Sequence, residues 1–174
     1  MNQNIVWITR TSLCAALLII AQIASVSFGS TLLTGTIVNL VLIVSVMVYG
    51  LSTGLTVAFI SPVLAKIFGI GPMWILIPFI MSGNLVIILV WHFVCRKWKG
   101  GFGYIQACVG GAAAKFLVMY LGIVKVAIPL LLRLPKSKAM ALSAVFFLPQ
   151  LITALAGGLF AVIIVPVIKN VTKQ

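Results

Sequence analysis

Residues Ala112 to Leu132 read AAAKFLVMYLGIVKVAIPLLL. The run matches the roughly 20 helical residues that cross a hydrocarbon core about 30 Å thick. It lacks the alternation of apolar and polar residues that marks a membrane strand. In lipid a backbone must satisfy its own hydrogen bonds, so such a run reads as a transmembrane α-helix. It also carries Lys115 and Lys125, in a chain of 174 residues with no aspartate and no glutamate. Any counter-charge must therefore come from a lipid head group, the chain terminus, another protein or a ligand.

The whole chain shares this character. Hydrophobic residues make up 63% of it and charged residues 7%, with a mean hydropathy of +1.32, whereas ordinary soluble domains are about 25% charged. The expectation is an all-α integral membrane protein. A formal charge of +12 could suggest nucleic acid, but the basic residues are scattered singly or in short clusters between apolar runs, and no long basic face forms. Nucleic acid is excluded as a partner, and the lipid bilayer takes its place. The opening segment MNQNIVWITR precedes an apolar run without a small-residue cleavage site, so it reads as the start of a first span and not as a secretory signal. Cys14, Cys95 and Cys108 have neither zinc-site spacing nor loop positions suited to disulfides, and they read as packing residues.

Six apolar runs reach spanning length: Val6 to Phe28, Leu33 to Tyr49, Thr53 to Phe68, Met73 to Cys95, one beginning near Tyr104, and Met140 to Ile168. Gly29, the Gly50 to Gly54 turn, the Gly69 to Pro72 break and the RKWKGG segment separate them. The connections are short, and residues 1–174 are expected to form a single domain, a compact bundle of six transmembrane helices. With both termini in the cytoplasm, Arg10, Arg96, Lys97, Lys99, Lys169 and Lys173 lie inside, against Lys66, Arg133, Lys136 and Lys138 outside. This distribution follows the positive-inside rule by a small margin.

The missing carboxylates remove paired-carboxylate acid/base catalysis, Asp-dependent triads, carboxylate cation sites and acidic proton relays, so the chain is not expected to be an enzyme. The single histidine, His92, stands beside Trp91 near a span end and reads as an interfacial or packing residue. GGAAAKF, Gly110 to Phe116, lacks the pattern of a phosphate-binding loop, and its small residues suit close helix packing. No nucleotide-hydrolysing motif occurs elsewhere, so ATP-driven movement of a solute would require another subunit.

The polar residues inside spans are the remaining chemical signal, because an unpartnered amide or ammonium in hydrocarbon is costly. Asn39, Asn84 and Gln150 fall in the outer half to middle of the second, fourth and sixth spans. Lys125 lies near the outer end of the fifth, with Lys115 about 15 Å deeper. At about 100° per residue the two lysines can share one broad helix face. A polar, cationic pocket opening outward is expected, with Trp74 and Tyr120 as further possible lining. Interhelical hydrogen bonding of the amides and snorkelling of the lysines are the alternatives.

RTSLCAALLIIAQ, Arg10 to Gln22, and PQLITALAGGLFAVIIVPVIK, Pro149 to Lys169, within six short-looped helices, resemble the substrate-binding S component of an energy-coupling factor (ECF) importer. The segment Ser12-Leu-Cys-Ala-Ala16 resembles that family's AxxxA surface with serine at the first position, and Gly157-Gly158 and Pro166-Val-Ile-Lys169 resemble its usage near the end of the chain. The resemblance implies a multi-pass protein of the prokaryotic plasma membrane that captures a vitamin or related micronutrient. It implies docking through Ser12 and Ala16 on a transmembrane coupling subunit associated with two ATPases, and no cofactor. Helices four to six and the outward loops would contact the ligand, which implicates Asn84, Lys115, Lys125, Gln150 and Arg133, beside Asn39. The absence of carboxylates favours an anionic or neutral solute. A structural or pore-forming membrane protein and a self-sufficient secondary carrier are the competing functions.

Overall fold

A computed structural model describes residues 3–172; Lys173 lies outside the described residues. The helices are α1 (Gln3–Ser27), α2 (Thr31–Tyr49), α3 (Leu51–Ile67), α4 (Ile77–Lys97), α5 (Gly101–Met119), α6 (Lys136–Val145) and α7 (Leu148–Thr172). A single 3-10 turn, Trp74–Leu76, leads into α4, and α5 continues to Leu132 in wider π-type turns. Among the described residues, five helical segments are long and apolar enough to cross a membrane; α3, at 17 residues, is a shorter apolar helix. The protein is an all-α membrane bundle.

Local chemistry sets the joints. Ser30 caps α2 by accepting a hydrogen bond from the Leu33 amide, which satisfies one of the donors that a helix start leaves unpaired. Gly50, at φ 95°, both ends α2 and opens α3, in backbone geometry that a side chain would strain. Pro78 sits in the first turn of α4, where its missing N–H has no helical partner to lose.

α2 is the central post, packed against α1, α3, α4 and α7. Its Leu42, Ile43 and Val46 join Leu18 of α1, Val57 of α3, Ile87 and Trp91 of α4, Ala112 of α5 and Val165 of α7 in the main core. α4 and α5 form the most extensive helix pair, and α7 lies across both α2 and α5. A second, smaller core of Leu76, Met119, Ile123, Ala127, Ile128 and Phe146 gathers where the α5 extension meets α6. Large apolar side chains such as Leu13, Leu17, Ile20, Phe160 and Ile163 remain exposed around the outside, as expected where the surrounding solvent is hydrocarbon.

Two sequence expectations are corrected. The apolar run Met140 to Ile168 is not one helix: α6 stops at Val145, Phe146 and Phe147 make a turn, and α7 starts at Leu148. Pro149 accounts for the restart, since proline suits a first helical turn and resists a position deep within a helix. The second correction concerns the face shared by Lys115 and Lys125. Lys115 is buried and Lys125 is exposed, its ammonium over the Tyr120 ring. From Tyr120 the π-type turns bond i to i+5 and change the angle advanced per residue, so the 100° step no longer applies.

The α2–α7 crossing tolerates no extra atom. A Cβ at Gly157 would lie 2.7 Å from both Asn39 Cβ and the Thr36 carbonyl oxygen. Gly157→Val is expected to destabilise the bundle by about 1–3 kcal/mol, read as a lower unfolding temperature in detergent. Gly110→Ala, whose added methyl meets only ordinary contact with Val90, should leave that temperature unchanged or higher.

Candidate substrate-binding site

Three helices bring three polar side chains to one point. On α5 the buried face runs Ala107, Cys108, Gly111, Ala112, Lys115, Met119, so Lys115 continues a ridge of small residues. Gly111 lies under the Trp91 ring and brings α4 close; one turn on, Gly83 of α4 leaves room for the Met119 side chain, beside the Lys115 stem. Asn84 follows Gly83 on the buried side of α4, and Asn39 occupies the buried side of α2.

The Lys115 ammonium donates to Asn39 Oδ1 at 2.6 Å and to Asn84 Oδ1 at 2.8 Å. Asn39 Nδ2 in turn donates to the Gly35 carbonyl at 2.9 Å, which directs its oxygen toward the lysine. All three residues are at most 3% exposed. An ammonium has three N–H donors and no acceptor, and the two asparagines engage two of them. Amide dipoles ease the burial of the charge without neutralising it, and a charge pair in a low dielectric is far stronger than one in water.

This cluster opens on a cavity of about 350 Å³ whose walls draw on all seven helices, a volume within the range of about 300–1,000 Å³ typical of small-molecule sites. Most of the lining is apolar, including Val26, Ile77, Ile80, Met119, Leu142 and Phe146. Gln150 of α7 lines it with Asn39, Asn84 and Lys115. Lys125 and Arg133 are exposed and stand outside it, Arg133 in a left-handed conformation at φ 45° where the α5 extension ends. Trp74 is exposed, and Tyr120 stacks on Phe116 and packs tilted against Phe147, outside the residues that line the cavity. His92 packs edge-on against Phe93 away from the site. Ser12 and Ala16, one helical turn apart, lie on the exposed side of α1 beside Leu13 and Leu17.

Sequence reasoning missed Gln22 of α1 and Ser61 of α3, both buried and both lining the cavity. For Gln22 a signal existed: Thr11, Cys14, Leu18, Gln22 and Ser25 recur at intervals of three and four and form the buried face of α1.

A family model described as "ECF transporter, substrate-specific component" matches residues 7–169. The chain belongs to that family. No curated protein matches it, and no solved structure does. As an ECF S component it is a multi-pass membrane protein and the substrate-binding subunit of a transporter, not an enzyme. The match covers α1 through nearly all of α7 and favours substrate capture over a structural or pore-forming role.

The coupling between the three polar residues is measurable. Asn39→Leu should destabilise the ligand-free protein by about 1–3 kcal/mol, because an ammonium N–H loses its acceptor. In the Lys115→Met background the same substitution should cost less, so a double-mutant cycle read by unfolding in detergent should return a favourable coupling. Strict additivity would mean that the short contacts carry no energy.

Proposed function

We propose that this S component captures a small anionic micronutrient at the outer face of the prokaryotic plasma membrane, with Lys115 as the principal anion contact. The single observation that carries this reading is a buried ammonium at a cavity wall, held by two neutral amide oxygens in a chain without carboxylates. An anion entering the cavity would supply the missing charge and accept the remaining N–H. A neutral polar solute could use the same hydrogen bonds without the charge pairing. Asn39, Asn84 and Gln150 would fix its orientation.

The helices alternate in direction, so Lys66, Arg133, Lys136 and Lys138 fall at the cavity end of the bundle, with Arg10, Arg96, Lys97 and Lys169 at the other. Lys99 and the undescribed Lys173 add to the latter group in the sequence. The positive-inside rule then favours a cavity facing outward and both termini in the cytoplasm. Lys125 and Arg133 stand outside the cavity, where they would raise the local concentration of anions without touching the bound solute.

Delivery across the membrane would depend on partners. The chain carries no nucleotide-binding motif, and a transmembrane coupling subunit with two ATPases would supply the energy. Ser12 and Ala16 present small side chains on the exposed side of α1, where another helix could approach closely.

Native mass spectrometry of gently purified protein tests the site. The wild type should retain a small anion, and Lys115→Met should bind that anion at least about tenfold more weakly, in line with a lost charged hydrogen bond. Unchanged retention would exclude Lys115 as the anchor. A separate measurement addresses the assembly: Ser12→Leu with Ala16→Leu should abolish co-purification of the coupling subunit and ATPases while the solute remains bound. Uptake that persisted in cells lacking those subunits would favour a self-sufficient carrier instead.

A further inference from the structure

Opposite in kind to the cationic cluster, a second polar pair belongs to residues that line the same cavity. Among the described residues, three buried side-chain polar atoms lack a hydrogen-bond partner: Gln22 Oε1, Ser61 Oγ and Trp91 Nε1. Trp91 lies away from the cavity, whereas Gln22 and Ser61 both line it. They are 7% and 1% exposed. Leaving such groups unpaired costs about 1–3 kcal/mol each, so both within one cavity point to something that occupies it.

Ser61 is unpaired although an ordinary alternative exists, and Gln22 because its neighbours are taken. A serine or threonine within a helix commonly donates to the carbonyl one turn back, and Thr9, Thr56, Ser82 and Ser143 all do so here. Thr56 belongs to the same helix as Ser61, yet Ser61 makes no such bond. Around Gln22 the neighbouring hydroxyls are already engaged: Ser25 bonds the Gln22 backbone carbonyl and Thr34, and Thr34 bonds the Ser30 carbonyl.

The two groups come from different helices. Gln22 and Ser61 belong to α1 and α3, which pack on each other, whereas Lys115 belongs to α5, whose helix neighbours include α4 and α7. An amide oxygen only accepts hydrogen bonds, and a hydroxyl both accepts and donates. With Oε1 as the unpaired atom of the Gln22 amide, the pair favours a donor over a second carboxylate, and an ammonium there would find no charge to pair with.

Building on the anion reading above, we propose that Gln22 and Ser61 form a second subsite that selects a solute bearing a neutral hydrogen-bond donor, a hydroxyl, amide or ring N–H, in addition to the anionic group held by Lys115. The substrate class is then a small bifunctional anion with an apolar part, since Val26, Ile77, Ile80 and Met119 also line the cavity. A solute with the anionic group alone would leave the α1–α3 wall unsatisfied or bridged by water. Sites built around buried polar groups discriminate strongly against analogues that lack the matching group.

The test uses purified full-length protein and a ladder of straight-chain omega-hydroxyalkanoates of increasing length, each paired with its unsubstituted alkanoate, with dissociation constants measured by calorimetry. On at least one rung the hydroxylated member should bind the wild type at least about tenfold more tightly than its partner. Ser61→Ala and Gln22→Leu should each bring that ratio toward unity. The readout is the ratio within each variant, with the unfolding temperature as a check that the variant is folded. Equal affinities on every rung, with binding still dependent on Lys115, would overturn the second subsite and leave the anion contact standing. A preference that survived both substitutions would overturn the assignment to these two residues. Failure of every probe to bind the wild type would overturn the anion reading and the subsite with it.

Discussion

A single buried ammonium organises the cavity-bearing half of this bundle. Lys115 reaches from α5 to Asn39 on α2 and Asn84 on α4, and thereby ties three helices at the point where close packing gives way to a cavity. Below it, small residues on α5 let the helices approach; above it, the walls separate. Two amide oxygens are enough to keep the lysine within the fold and too few to satisfy its charge. On the proposed reading, structural and ligand-binding demands meet in the same hydrogen bonds.

The family match supplies the role of substrate-binding subunit, and the side chains narrow the chemistry. The apolar lining gives affinity without direction, and the polar groups give direction. Lys115, Asn39 and Asn84 come from α5, α2 and α4, and Gln22 and Ser61 from α1 and α3. The basic residues of the α5 extension and of α6 remain outside the cavity, so on the proposed reading the attraction of an anion and its recognition would fall to different residues.

Much of this was legible in the sequence because hydrocarbon penalises polarity so heavily. The length of each apolar run gave the helices, and Asn39, Asn84, Lys115 and Gln150 stood out against their surroundings; all four line the cavity. The break at Phe146 and Phe147 was concealed because the residues on both sides are equally apolar, and hydropathy does not register a change of direction. The outward turn of Lys125 was concealed for a different reason: the angle between two residues depends on the hydrogen-bond register, and α5 changes register at Tyr120. Ser61 was not legible because a serine in a membrane helix normally bonds its own backbone, and only the folded structure shows that this one does not.

The α6 wall has a dynamic consequence. No residue of that helix is buried, although Leu142 and Val145 line the cavity, and Phe146, just beyond the helix end, belongs to the smaller core. Local opening free energies follow local burial, so the α6 backbone should exchange its amide hydrogens well before the α2–α7 contact does. The bundle is therefore graded in rigidity along its axis, firmest around Trp91 and Leu42 and loosest across the mouth, and a solute could enter through the loose end while the Lys115 cluster stays in place.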